Sequence, residues 1–190
     1  MSGVLITGTD TAVGKTEIAA GLLAAFKARG ITAAGMKPIA SGCVPGDDGL
    51  QSDDAIRLMA VSGVDATYAE VNPYPLADPI APHIAAGQAG IEIKVGVIRK
   101  AYQALAQRAE RVVVEGVGGW RVPLGPKLSV SDLPLELGLP VMLVVGLKLG
   151  CINHALLTAE SVRASGSRLL GWIANQIAPD MLVRDENLAT

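Results

Sequence analysis

A chain of 190 residues lies in the range of a single domain and is long enough to bury a core of ordinary density. Hydrophobic residues make up 50% of it, yet its longest apolar stretch, around Val141 to Leu147, is far too short for a helical membrane span. A net charge of -2 gives no field that would attract nucleic acid or an anionic membrane, so neither is expected as a partner and a small molecule is. The N-terminus has no basic region and no long apolar run, and it enters a strand at once, which leads us to expect a cytoplasmic protein. The two cysteines, Cys43 and Cys151, and the two histidines, His83 and His154, do not stand at zinc-ligand spacing. Both thiols therefore read as reduced and non-catalytic.

In chain order, strand, glycine-rich turn and helix alternate. Val4 to Thr7 is a short buried strand, Thr7 to Gly14 a turn, and Lys15 to Arg29 a helix with Ile18, Leu22, Leu23 and Phe26 at helical spacing, ended by Gly30. Ala33 to Lys37 reads as a second strand stopped by Pro38, Pro38 to Gly49 as a loop, and Asp54 to Val61 as a helix. From Gly63 to Pro82 the prolines multiply and periodicity fades, so an irregular connection is expected. Pro82-His83 then opens a helix, where the histidine reads equally well as a surface residue. Lys94 to Arg108 is helical by the spacing of Val97, Ala101, Leu105 and Ala106. Arg111 to Glu115 is a central strand by its β-branched run, followed by the turn Gly116-Val117-Gly118-Gly119. A short helix capped near Ser131 precedes a strand over Val141 to Val145, a helix over Ile152 to Ala164 and a last strand over Leu169 to Asn175. Alternation of this kind implies right-handed crossovers and a mainly parallel sheet, with ligands gathering beyond the carboxyl ends of its strands.

The segment Gly8-Thr9-Asp10-Thr11-Ala12-Val13-Gly14-Lys15-Thr16 joins the first strand to the first helix. Backbone N–H groups of such a turn converge on a polyphosphate, and the helix start adds positive potential. Lys15 reaches the outer phosphates, Thr16 offers a hydroxyl to magnesium, and Gly14 admits close approach of the backbone. The expected architecture is thus α/β: a three-layer P-loop NTPase fold, its mainly parallel sheet flanked by helices. The loop is a variant, because Thr9 stands where glycine is usual, with Gly8 one step upstream. Partitioning and cell-division ATPases carry an extra lysine near the loop start, where this chain has Asp10, which argues against a dimer switch of that kind.

Gly8 to Thr16, Met36-Lys37-Pro38-Ile39-Ala40-Ser41-Gly42, Val114-Glu115-Gly116-Val117-Gly118-Gly119-Trp120 and the block from Val145 to His154 together resemble the dethiobiotin synthetase family, over Met1 to about Asn175. The resemblance implies that 7,8-diaminopelargonic acid takes up CO2 (from bicarbonate) as a carbamate, that ATP phosphorylates the carbamate, and that the second amine displaces phosphate. It implies a nucleotide site made by Thr11, Ala12, Val13, Gly14, Lys15, Thr16 and Glu17 with Glu115, Gly116 and Gly118, and with Asn175 reading the base. Ser41 would bind the diamine. The helix start Gly150, Cys151, Ile152 and Asn153 would hold its carboxylate from the partner subunit of a homodimer.

The residue types suit that chemistry. A carbamate attacking a γ-phosphate gathers negative oxygens, so the site needs cations, and Lys15 and Lys37 are the candidates for catalysis. Apart from the resemblance, Lys37 reads as a solvated loop lysine. Thr16, Asp54 and Glu115 offer the hard oxygens that Mg2+ prefers, and Glu115 ends a buried strand where an unpaired carboxylate is costly. Asp53 adjoins Asp54 at a helix start, and either residue would serve as a helix cap; the family pattern selects Asp54. Asn175, at a strand end, reads also as a turn residue. Two departures stand out: glutamate is frequent in the family where this chain has Ala12, and relatives continue beyond the position of Thr190. A cobyrinate-type amide synthetase is the nearest rival among enzymes.

Overall fold

Runs of Val, Ile and Leu without polar alternation belong between two layers of helix, and the middle of the central sheet is made of such runs. The computed structural model describes residues 3–47, 49–177 and 181–190. The elements are β1 (Gly3–Gly8), α1 (Lys15–Ala28), β2 (Ala33–Met36), β3 (Ile39–Ser41), β4 (Val44–Gly46), β5 (Gly49–Gln51), α2 (Asp53–Val61), α3 (Tyr68–Val71), β6 (Tyr74–Leu76), α4 (Pro82–Gln88), α5 (Val95–Ala106), β7 (Arg111–Glu115), β8 (Pro123–Gly125), β9 (Leu128–Ser129), a 3-10 turn over Val130–Asp132, α6 (Leu133–Leu137), β10 (Val141–Gly146), α7 (Cys151–Ala164), β11 (Leu169–Asn175) and α8 (Arg184–Ala189). Five strands form one sheet in the order β11-β10-β1-β7-β2, with every pairing parallel.

Alternation along β1 divides the core. Leu5 joins Val112 and Val114 of β7 beneath α5 and α6, where Ile98, Leu105 and Leu133 are buried. Val4 and Ile6 face the other way, with Val113, and meet Ala19 and Leu23 of α1 and Leu58 of α2. Leu143 and Val145 of β10 support α7. Each fully buried Leu or Ile contributes about 1.5–3 kcal/mol, which holds both helical layers on the sheet. All five strands therefore deliver their carboxyl ends to one edge, where the phosphate turn lies.

Three expectations need correction. The stretch 38–51 is not a plain loop: β3 pairs in parallel with β6 through Ile39 and Tyr74, and β4 and β5 form a hairpin. The stretch 63–82 is partly regular for the same reason, and it contains α3, closed by a capping box between Thr67 and Glu70. Strands of three residues and a helix of four are too short to show a period, so their partners define them. The turn before α6 is capped by Ser129, whose backbone and hydroxyl both bond Asp132, rather than by Ser131. Cys43 and Cys151 are free and buried, and His83 and His154 are exposed. Among the described residues no helix is long and apolar enough to cross a membrane.

Candidate active site

The turn after β1 is shaped by two residues with left-handed backbone. Gly14, at φ 88°, is the N-cap of α1, and Ala12 takes φ 58°, a region that non-glycine residues enter at a cost of about 1–3 kcal/mol. Gly14 has a second constraint: a Cβ there would lie 2.0 Å from Nδ2 of Asn175, whose amide donates to the Val13 carbonyl at 2.9 Å. Lys15, the first residue of α1, is buried and folds back so that its Nζ donates to the Asp10 carbonyl at 2.9 Å. Burial and then the like charge of Lys37 push the Lys15 ammonium down to about 8. The Asp10 carboxylate accepts the Thr11 amide at 2.8 Å and pairs with Lys148 at 3.3 Å, and these contacts hold it below its ordinary value.

Deeper in, three elements converge on one ammonium. Lys37 lies one residue beyond β2 rather than within it and is only 3% exposed, which excludes a solvated loop lysine. Its Nζ lies 2.6 Å from Oε1 of Glu115, at the end of β7, and 2.7 Å from Oδ2 of Asp54, in the first turn of α2. Burial opposes the charge, but the Glu115 and Asp54 carboxylates hold the Lys37 ammonium above the ordinary lysine value. Asp54 pays some desolvation, yet Lys37 and the Thr16 hydroxyl keep its carboxyl below its usual range. Thr16 Oγ1 lies 2.9 Å from both Asp54 Oδ1 and Glu115 Oε1, and its single proton serves only one of them at a time. Two ammonium groups thus face two carboxylates, a set that is formally neutral before any phosphate arrives. Of the two adjacent aspartates, Asp54 enters this cluster, while Asp53 lies on the exposed side of the helix start.

A cavity of about 900 Å³ opens over this cluster. Thr11, Ala12, Gly14, Lys15, Thr16 and Glu17 line its phosphate-loop side. Lys37, Ser41, Asp54, Glu115 and Gly118 line the remainder. Ser41 Oγ is buried there with no hydrogen-bond partner. Val13 is buried behind the loop, and the Gly116 carbonyl stands 3.5 Å from Lys37 Nζ. Gly150, Cys151, Ile152 and Asn153 do not reach this cavity. Cys151 and Ile152 line a separate groove of about 200 Å³ with Leu143, Leu156 and Trp172. The Cys151 N–H is already donated to the Lys148 carbonyl at 2.9 Å. Sequence reasoning missed Arg57 and Arg121, two cations on the cavity wall. Arg57 follows Asp54 by one helical turn and pairs with Glu17 at 2.6 Å, so helical spacing was the available signal.

The family resemblance implies magnesium, and the cluster suits it. Glu115 Oε2 is buried without a hydrogen-bond partner, and the other oxygen of the same carboxylate shares the Thr16 hydroxyl with Asp54. One orphaned carboxylate oxygen, a second carboxylate and a hydroxyl make a hard-oxygen set of the kind magnesium takes together with phosphate and water.

Known proteins resemble this chain both in sequence and in fold. A family model described as an AAA domain matches residues 2–189. The ATP-dependent dethiobiotin synthetase BioD of Aromatoleum aromaticum is 51% identical over 185 residues, covering 96% of this chain and 81% of that protein. The protein of the same name from Pseudomonas aeruginosa is 48% identical over 191 residues, covering 100% of this chain and 84% of its own. Among solved structures, the BceF tyrosine kinase domain superposes with a TM-score of 0.58 at 13% identity, over 93% of this chain and 69% of that one. The MinD cell division protein of Aquifex aeolicus gives 0.56 at 14% identity, over 100% of this chain and 78% of its own. At such identities the last two share the fold alone. Identity near one half along almost the whole chain carries more, and the chain belongs to the ATP-dependent dethiobiotin synthetase family.

Proposed function

We propose that this protein is an ATP- and Mg2+-dependent ligase of the cytoplasm that closes 7,8-diaminopelargonic acid and CO2 into the cyclic urea of dethiobiotin. The observation that carries the reading is the Lys37 ammonium, buried between Glu115 and Asp54 on the floor of a cavity whose rim is the phosphate loop. The loop backbone and Lys15 hold the ATP phosphates, and Asn175, whose amide packs on the loop outside the cavity lining, reads the base. Thr16, Asp54 and Glu115 would hold Mg2+, which when bound neutralises charge on the phosphate oxygens.

One amine of the diamine adds to CO2 and loses a proton, giving a carbamate. A carbamate oxygen attacks the γ-phosphorus, the bond to the ADP oxygen breaks, and a carbamic-phosphoric anhydride forms. The second amine then attacks the carbonyl carbon, phosphate leaves, and loss of a proton completes the ring. Lys37 supplies a cation where carbamate and γ-phosphate meet, the point at which charge gathers in the transition state. Ser41, a residue of the cavity lining, orients the diamine. The substrate carboxylate is held by the start of α7 from the partner subunit of a homodimer. With the Cys151 amide already engaged, the N–H groups of Ile152 and Asn153 take that role. The test is ADP release measured with each component omitted in turn. Turnover requires both the diamine and bicarbonate, and ADP release that is indifferent to the diamine would sink the assignment.

A further inference from the structure

Lys37 needs more than its ion pairs to reach its place, because a four-carbon stem has many rotamers and its backbone stands just past the end of β2. Both backbone groups of Lys37 are held by the last residue of α3 and by the residue after it. Its N–H donates to the Val71 carbonyl at 2.9 Å, and its carbonyl accepts Nδ2 of Asn72 at 2.6 Å. Asn72 is 1% exposed. Its Oδ1 accepts the Tyr68 hydroxyl at 2.8 Å, and that hydroxyl in turn accepts the backbone N–H of Ser52 at 2.7 Å. Ser52 is the N-cap of α2, two residues before Asp54. A single chain of hydrogen bonds thus runs from the backbone of Lys37 to the start of the helix that carries its partner carboxylate. Its anchor is firm: the capping box closes α3, and Glu70 pairs with Arg108 just past α5 at 2.7 Å.

We propose that Tyr68 and Asn72 are positioning residues for the phosphoryl-transfer step, an inference that rests on the function proposed above. They set the separation between Lys37 and Asp54 from one reference point. Neither side chain lines the cavity, so they act through Lys37 and Asp54 rather than on substrate. A shift of the lysine by a fraction of an ångström matters most in the transition state, where geometry is most demanding, and least for ground-state nucleotide, which the phosphate loop already holds.

The experiment compares wild type, Tyr68→Phe, Asn72→Leu and the double variant. It measures steady-state kinetics with saturating diamine and bicarbonate, and calorimetric binding of a non-hydrolysable ATP analogue with Mg2+. Each single variant removes two hydrogen bonds of the chain and lowers kcat about five- to tenfold, while the affinity for the analogue stays within about twofold. Because the two residues belong to one chain, the double variant loses no more than the worse single. Wild-type kcat in Tyr68→Phe overturns the proposal, and so do parallel losses in kcat and affinity or additive losses in the double variant. If Asn72→Leu does not fold, the split between kcat and affinity in Tyr68→Phe decides alone. Absence of diamine-dependent turnover in the wild type overturns the proposed function itself, and the positioning role with it.

Discussion

Lys37 carries the largest demands of any residue here, since its charge is buried and its partners are remote in sequence. The carboxylates that make such burial tolerable lie 17 and 78 residues away, so no local pattern around Met36-Lys37-Pro38 distinguishes it from a solvated lysine. Lys37→Gln is expected to lower kcat by about a hundredfold or more while leaving affinity for an ATP analogue within a few-fold, as calorimetry beside steady-state kinetics would report. Affinity lost with kcat intact would make it a binding residue instead. Lys15 offers a pH handle. Its folded value, about 8, lies below the ordinary 10.5, so between these values the folded chain holds fewer protons than the unfolded one. Stability from this group therefore rises with pH across that window and is lost as pH falls through about 8. A bound polyphosphate reverses the shift, so ATP binding near about pH 8.5 should take up a proton. Calorimetry in buffers of differing ionisation enthalpy measures this directly, and a buffer-independent heat would contradict it.

At the scale of elements, what was legible was local. The phosphate turn is contiguous, and four of the five strands of the main sheet carry their own Val, Ile or Leu run, so Gly8 to Thr16 and the order of strand and helix could be read from the residues. The pairing of β3 with β6 could not, because Ile39 and Tyr74 acquire their strand character only from each other. The packing of Asn175 on the loop was equally hidden, since it spans 162 residues. That contact makes Gly14 the most constrained position of the turn. In Gly14→Ala the new methyl would collide with the Asn175 amide and adopt a backbone at φ 88°. Strain of about 1–3 kcal/mol in the loop should weaken ATP binding by about five- to 150-fold, readable by equilibrium titration. Unchanged affinity would mean that the loop tolerates separation from β11.

For the whole molecule, the two helical layers place the cavity and the start of α7 apart: Gly150 to Asn153 do not line the site that Lys37 and Ser41 share. The shared-site proposal turns this separation into an arithmetic test. Lys37→Gln and Asn153→Trp proteins, each inactive alone but shown to be folded dimers, are mixed until their subunits exchange. In a two-fold symmetric heterodimer one site collects both defects and the other neither. With about half the dimers mixed, roughly a quarter of all sites should regain activity. No recovery after verified exchange would place each complete site within one subunit.

The chain has two tryptophans, and they lie in contrasting surroundings: Trp120 is 4% exposed and Trp172 is 53% exposed. Trp120 directly follows the glycine turn that runs alongside Gly8 and Thr9, whereas Trp172 stands in the groove beside Cys151 and Ile152. The protein therefore carries two optical probes of different colour. The sheltered indole emits toward the blue and resists acrylamide, and the other emits toward the red and is quenched freely. A nucleotide that rearranges the glycine turn would perturb the first, and any occupant of the α7 groove would shield the second. Intrinsic fluorescence alone can thus follow the two ends of the molecule in one cuvette, without a label.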